Sequence, residues 1–372
     1  MSRFAFNIIF GYTIKAYHMV PSVNMDLKQL AQRASDKSKI KVTQKDVERL
    51  LGALIKNKNP WDVIDKSDFP VPAVFESIKA LEKSGLVSVL DNGFHLTDEG
   101  KKVARKLHPV EDISCRTCKG TGIGLEGFSE IKQKFLKIHK MRPSPLRKFD
   151  QGYITPTTTL SRFALAYERG DIVGKEIFVL GDDDLISIVL GISRLPKRIT
   201  VVEIDRRLTD FIQETGVKVG FEVDVQSFDL REPIPKEYLN KYDTFFTDPP
   251  ETLKAADAFI GRGIAALKGP GSAGYFGFTR REASLSKWHD LQKMLLKYGI
   301  VFTDIIHNFN EYVNWGYEED TRAWRLSPVK VRPRKNWYRS GLYRFETLEG
   351  FKGNTKDYGN ENIYEDKESS TT

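Results

Sequence analysis

Two patterns of apolar spacing divide the chain. From residue 171 onward, short apolar runs read as strands: "KEIFVLG", "RITVVEID", "FEVDVQSFD", "YDTFFTDPPE", "SAGYFGFT" and "IVFTDIIHNFNEY". Between them, "DLISIVLGISR", "RRLTDFIQETGVKV", "ETLKAADAFIGRGIAALKG" and "SLSKWHDLQKMLLKYG" carry apolar residues at helical spacing. Strands alternating with helices predict a doubly wound, mainly parallel α/β sheet. Ligands of such sheets sit at the C-terminal strand ends, near the point where the strand order reverses.

Residues 25–107 follow another pattern. "VTQKDVERLLGALIKN" places Val47, Leu50, Leu51 and Leu54 at helical spacing, with Thr43 as N-cap. A later helix carries Val74, Ile78 and Leu81 and stops at Gly85. "LVSVL" and "FHLT" then flank Asp91-Asn92-Gly93, a strong hairpin signal. Helix, two-stranded wing and helix predict a winged-helix N-terminal domain. DNA binding is one reading of it; a dimerisation or substrate-covering module is the other. The helix "AVFESIKALEKSG" sets two Glu against two Lys, less basic than a DNA-reading helix usually is.

The remaining segments are less regular. Residues 1–24 are apolar and aromatic but lack the small-residue cleavage site of a signal peptide. Met25 opens "MDLKQLAQRAS", a fresh helix start, so residues 1–24 are expected to be a mis-assigned extension. The intact mass of the native protein tests this. Residues 108–150 form a connector holding Cys115 and Cys118 in "CRTCKGTGIG". A C-x-x-C pair is half of a structural zinc site, which takes four ligands. Only His108, His139 or a dimer partner would complete it; a redox pair and two plain thiols are the other readings. The catalytic domain is expected over residues 151–349, and a flexible acidic tail over 350–372.

Composition bounds these readings. With 372 residues, the chain can bury a sizeable core in two or three domains. A formal net charge of +8 permits nucleic-acid binding without requiring it, because the charges are spread along the chain. Two cysteines give no disulfide framework and point to a reducing cytoplasm. No stretch approaches the ~20 apolar residues of a membrane span.

The chemistry lies in the acids that close the strands. The first strand ends in Gly181 and then Asp182, Asp183 and Asp184; the second gives Glu203 and Asp205. The third gives Asp224 and Asp229, and the fourth Asp248-Pro249-Pro250-Glu251. One such acid is often a helix N-cap, but acids at four successive strand ends indicate a shared site. An acid closing the second strand suits ribose hydroxyls. With "DPP" after the fourth, this is the layout of a Rossmann-like, S-adenosylmethionine-binding fold. The "DPP" motif is similar to that of nucleic-acid amino-methyltransferases, where an aromatic follows and stacks on the flipped base. Here Glu251 follows, which suits a cationic amine. The three-aspartate turn would likewise repel the carboxylate of S-adenosylmethionine, by about 4 kcal/mol per close pair at intermediate dielectric. Without that carboxylate the donor's tail is an aminopropyl cation, and the turn becomes complementary. The residues therefore point to decarboxylated S-adenosylmethionine as donor and a polyamine as acceptor.

The stretches "LGDDDLISI", "VVEIDRRLTDFI", "FDLREPIP", "TDPPETLKAADAFIGRGIAALKGP", "GYFGFTRREASLSKW" and "DIIHNFNEYVNWGYEEDTRAWRL" closely resemble the branched-chain polyamine synthase family. The resemblance runs from about Met25 to the C-terminal "ESSTT". It implies a winged-helix-like domain, a Rossmann-like catalytic domain, a homodimer and a flexible acidic C-terminal segment. The implied reaction is two successive aminopropyl transfers to the central nitrogen of spermidine, with no prosthetic group. It places the base in the aspartate turn, at Asp183 with Asp182 or Asp184 as alternatives. Asp248 and Glu251 would hold acceptor amines, Glu203 with Asp205 the ribose, and Asp229 the adenine amino group, with Gly181 at the donor turn. Gln151 and Tyr153 precede the first strand, where a donor-side loop is expected. Glu311, Tyr312 and Trp315 interleave acids with aromatics, which suits the charges and methylenes of a polyamine. Two rivals stay open: a nucleic-acid amino-methyltransferase, and a polyamine-sensing winged-helix regulator on an inactive enzyme fold.

Overall fold

The computed structural model describes residues 26–107 and 114–372. The expectation for residues 1–24, and His108, lie outside them. Four helices open the described chain: α1 (Leu27–Ser38), α2 (Gln44–Leu54), α3 (Pro60–Ser67) and α4 (Val71–Lys83). Their starts are written locally. Asp26 caps α1, Thr43 and Asp46 form a capping box on α2, and Asn59 caps α3 ahead of Pro60. The expected hairpin follows as β1 (Val87–Leu90) and β2 (Gly93–Leu96), with Leu90 opposite Gly93, and α5 (Asp98–Ala104) closes the group. Gly93 has φ 134°, and a Cβ there would lie 2.2 Å from the Lys58 carbonyl oxygen. The hairpin therefore packs against the link between α2 and α3 only because this residue has no side chain.

The connector carries α6 (Ser129–His139). Then come α7 (Pro156–Glu168), β3 (Glu176–Leu180), α8 (Ile186–Ser193), β4 (Arg198–Glu203), α9 (Arg206–Val219), β5 (Asp224–Ser227) and β6 (Thr244–Thr247). The chain ends through α10 (Leu253–Ala266), β7 (Ala273–Phe278), α11 (Leu285–Leu296), β8 (Ile300–Glu311), α12 (Arg322–Leu326) and β9 (Arg339–Thr347). Among the described residues these strands form a seven-stranded sheet, ordered β5-β4-β3-β6-β7-β9-β8. The five strands from β5 to β7 are parallel. β9 runs antiparallel to both β7 and β8, so the sheet is mixed. The apolar pattern does not announce β9, because Arg344 interrupts it; its buried guanidinium pairs with Asp171 at 2.8 Å. The order reverses between β3 and β6, which opens the crevice at their C-terminal ends.

The core does not stop at the helical domain. Trp61 of α3 lies 4.8 Å from Trp337, centroid to centroid, and its indole N–H donates to the Val331 carbonyl at 2.6 Å. Ile154, Tyr312, Trp315 and Tyr338 belong to the same apolar cluster. Fully buried Arg281 adds a polar tie: it donates to the Asp65 carboxylate at 2.8 Å and to the Arg339 carbonyl at 2.7 Å.

The tail differs from expectation. Its composition predicts a flexible acidic end, yet Tyr358 and Ile363 are buried against Ala255 and Ala258 of α10. Glu282 accepts from the Ser370 and Thr371 N–H groups at 2.6 and 2.7 Å, and Ser284 donates to Glu368 at 2.9 Å. Glu368 and Ser370 satisfy buried partners in the fold, whereas Asp357 and Glu365 stay exposed. No helix among the described residues is long and apolar enough to cross a membrane.

Replacing Arg281 by Met leaves Asp65 buried without its main counter-charge. We expect a loss of about 3–5 kcal/mol in denaturant unfolding; an unchanged unfolding free energy would show that the helical domain does not rely on this tie.

Candidate active site

The three aspartates after β3 have separate fates. Gly181 makes the turn at φ 72°, and Leu185 takes φ 57° before α8 begins. Leu185 offers α8 no side-chain cap. Asp182 does so instead, accepting from the Ile186 N–H at 2.8 Å, the Ser187 N–H at 3.3 Å and the Ser187 hydroxyl. It is fully buried and acts as a helix cap. Asp184 is also buried, with one oxygen on the Ile154 N–H at 2.8 Å and the other on Arg162 Nη1 at 2.6 Å. Asp183 alone of the three lines the crevice. Burial pushes its carboxyl up to about 7; Arg142 and Arg162 oppose the rise, and Glu203 and Asp248 add to it.

Arg162 reaches this turn from α7. Nε donates to Asn310 Oδ1 at 2.8 Å, Nη1 to Asp184 and Nη2 to Asp248 Oδ2 at 2.8 Å. Tyr312 donates to the same Asp248 oxygen at 2.6 Å and lies 3.0 Å from the Ser340 hydroxyl, to which Asn310 donates at 2.8 Å. Burial works against the Arg162 charge, but Asp248 and Asp184 outweigh it and hold the guanidinium above its ordinary value.

The crevice places most of the predicted residues together: Gly181, Asp183, Glu203, Asp229, Asp248, Glu251, Gln151, Tyr312 and Trp315 all line it. Glu203 accepts from the Asp182 and Asp205 N–H groups, both at 2.8 Å, so it ties the first turn to the second. Asp229 is held by Arg231 at 2.6 Å; burial alone would raise its carboxyl, but Arg231 lowers it. Ile204, Phe228, Leu230 and Phe259 form an apolar wall beside it. Glu251 is buried, and burial with repulsion from Glu282, Asp150 and Asp248 pushes its carboxyl well up.

Five predicted residues sit elsewhere. Asp182 and Asp184 are committed to the cap and the ion pair just described. Asp205 is not among the lining residues and caps α9, accepting from Arg207 and, at 2.9 Å, from crevice-lining Gln151. Tyr153 lies beneath Arg142, whose guanidinium is 3.3 Å from its ring centroid. Glu311 faces a different cavity, 3.3 Å from Arg339, because alternation along β8 sends it to the face opposite Tyr312's. Cys115 borders that second cavity too and is exposed. Among the described residues, no group of three or more His, Cys, Asp or Glu side chains is placed to hold a metal.

Sequence reasoning missed Phe149, Asp150, Tyr338, Tyr364 and Thr371, which also line the crevice. Asp150 adjoins Gln151 in "FDQGY", so its neighbour's assignment was the available signal. Tyr364 and Thr371 lie in the segment expected to be flexible. It also missed Arg162, on a helix announced by Thr155-Pro156, an N-cap followed by proline at the first turn.

Comparisons with known proteins bear on this geometry. The family described as "Branched-chain polyamine synthase A C-terminal domain" matches residues 130–371. The N(4)-bis(aminopropyl)spermidine synthase of Thermococcus kodakarensis is 48% identical over 351 residues, covering 93% of this chain and 100% of that protein. The one from Methanocaldococcus jannaschii is 45% identical over 352 residues, with the same coverage. The chain belongs to the branched-chain polyamine synthase family. A solved family member, the branched-chain polyamine synthase of Thermus thermophilus in complex with N4-aminopropylspermidine and 5'-methylthioadenosine, has a TM-score of 0.88 at 38% identity. The match covers 93% of this chain and 98% of that one.

In this chain, Gly277 of β7 makes room for the strand-end acid. A Cβ there would lie 2.0 Å from Asp248 Oδ1. Gly277→Ala is expected to displace Asp248 and lower kcat about tenfold or more without unfolding the chain. Steady-state kinetics beside circular dichroism check this, and normal turnover would take Asp248 out of the machinery.

Proposed function

We propose that the chain moves aminopropyl groups from decarboxylated S-adenosylmethionine to the central secondary amine of spermidine. The products are N(4)-aminopropylspermidine, then N(4)-bis(aminopropyl)spermidine, with methylthioadenosine released at each step. One observation carries this reading. Asp184 and Asp248 share the single charge of Arg162, Asp205 pairs with Arg207 and Asp229 with Arg231. Asp150, Asp183, Glu203 and Glu251 line the same crevice with no such ion pair among the described residues. Four carboxylates without an ion pair in one desolvated space call for a polycation.

The donor lies over the β3–β4 side. Glu203 takes the ribose hydroxyls, and Asp229 with the wall of Ile204, Phe228, Leu230 and Phe259 takes the adenine. The acceptor lies against Glu251, Asp150 and Asp248, with Tyr312, Trp315 and Tyr338 along its methylenes. The central nitrogen attacks the propyl carbon bonded to the sulfonium. The C–N bond forms as the C–S bond breaks, and the sulfur leaves as a neutral thioether that needs no acid. The difficulty is the nucleophile, since alkyl amines are mostly protonated near neutrality. Asp183 takes that proton. Burial pushes its carboxyl up to about 7, and a base is most effective near neutrality when its pKa lies there. In the second transfer a tertiary amine becomes a quaternary ammonium and no proton leaves. The same carboxylates then act by stabilising the growing positive charge.

The N-terminal helices and hairpin are, in this reading, a winged-helix module that backs the acceptor wall rather than reading DNA. The packing of Trp61 on Trp337 supports it. The working unit is a homodimer in the cytoplasm, which sedimentation and fractionation check.

Purified protein given spermidine and decarboxylated S-adenosylmethionine should form both branched products, read by mass spectrometry; methyl transfer to DNA in their absence would sink the proposal. Asp183→Asn should lower the first transfer by about 10²–10⁴-fold while donor binding survives. A carboxylate base works only when ionised. The wild-type kcat/KM should therefore fall as the pH drops through about 7, a limb that Asp183→Asn should lack.

A further inference from the structure

A buried arginine is an odd component for a crevice built to hold cations. Arg162 is 4% exposed, and each of its three nitrogens is bound: Nε to Asn310, Nη1 to Asp184, Nη2 to Asp248. Its fork spans two elements that share no strand pairing at these residues, the turn after β3 and the turn after β6. Asn310 fixes the plane of the guanidinium and is itself held by Ser340, which also meets the Tyr312 hydroxyl. Tyr312 returns to Asp248. Arg162, Asn310, Ser340, Tyr312 and Asp248 form a closed ring of hydrogen bonds, and Asp184 joins it through the arginine.

Without that charge, Asp183, Asp184 and Asp248 would be three like charges in one desolvated volume, and protonation would be their cheapest relief. Which of them took the proton would then be unspecified. The contacts of the arginine distinguish them by geometry. Asp184 and Asp248 each have an oxygen on the arginine, and Asp183, which faces the crevice, has none. We propose that Arg162 is a positioning residue for aminopropyl transfer, locking Asp184 and Asp248 together so that Asp183 is the carboxylate left to accept the acceptor's proton. This rests on the reading of Asp183 as the base. Lysine is a poor substitute, since a point charge cannot hold two carboxylates in one plane.

Asp183 is faced by Arg142 from the connector, Glu203 from β4, Asp248 from the turn after β6 and Arg162 from α7, with Asp184, Asp150 and Tyr317 also in its field. Removing a positive charge from this set disfavours the ionised carboxyl. Arg162→Met should therefore move the acid limb of kcat/KM upward by about one pH unit and lower kcat by about 100-fold. Asn310→Ala keeps the charge but frees the guanidinium plane. It should lower kcat with the acid limb in place and the KM for spermidine little changed. Arg162→Lys should leave the limb in place too, without restoring kcat. A folded Arg162→Met enzyme with an unmoved limb, or near-normal kcat, overturns the inference. If Arg162→Met does not fold, near-normal kcat in both Arg162→Lys and Asn310→Ala overturns it. Asp183→Asn separates the two readings: an active Asp183→Asn enzyme removes the base, whereas an inactive one beside an unmoved Arg162→Met limb removes only the role of the arginine.

Discussion

Repulsion among carboxylates at the ends of parallel strands is the constraint on which the rest of this structure depends. Parallel strands bring their C-terminal ends to one edge, and here those ends carry acids. Left alone in a desolvated crevice, such acids would protonate and lose their use. The fold assigns them different partners. Asp182 is consumed in capping α8, Asp184 and Asp248 share Arg162, and Asp205 and Asp229 take their own nearby arginines. What remains is a small set of unpaired carboxylates facing the crevice, and those are the groups a polyamine can neutralise.

The elements around the sheet serve this arrangement. α7 presents Arg162 to both strand ends, and the β8 terminus supplies Asn310 and Tyr312 from one extended run. The aromatic wall that carries Tyr312, Trp315 and Tyr338 is not self-supporting. It belongs to the apolar cluster of the N-terminal helices, with Trp61 and Trp337 at their junction. The tail closes the remaining side through Tyr364 and Thr371, anchored by Glu282 and Arg322. The crevice is thus assembled from segments far apart in sequence, which lets charged and apolar side chains alternate along its length.

Much of this was legible in the chain. The period-two and helical runs place the strands and helices, and Asp91-Asn92-Gly93 marks the hairpin. The acids at strand ends identify the crevice. The replacement of an aromatic by Glu251, together with the aspartate turn, indicates the charge of what it holds. These signals are local: a turn residue, a cap or a strand end declares itself within a few positions. β9 was not legible, because a buried Arg–Asp pair interrupts its apolar pattern. Nor was the packed tail, because composition alone cannot distinguish an acid facing water from one capping a buried N–H.

The sequence by itself determined the kind of site: acidic, at the ends of parallel strands, suited to a donor without a carboxylate and to an amine acceptor. Only the tertiary structure decided which partner each acid meets. Asp182, Asp183 and Asp184 are adjacent and chemically identical in the sequence. Their roles diverge because one meets the first turn of a helix, one meets an arginine from α7, and one meets open space. Partnership across the fold depends on side-chain direction and on residues more than a hundred positions away, such as Asn310 and Ser340. No local pattern encodes that.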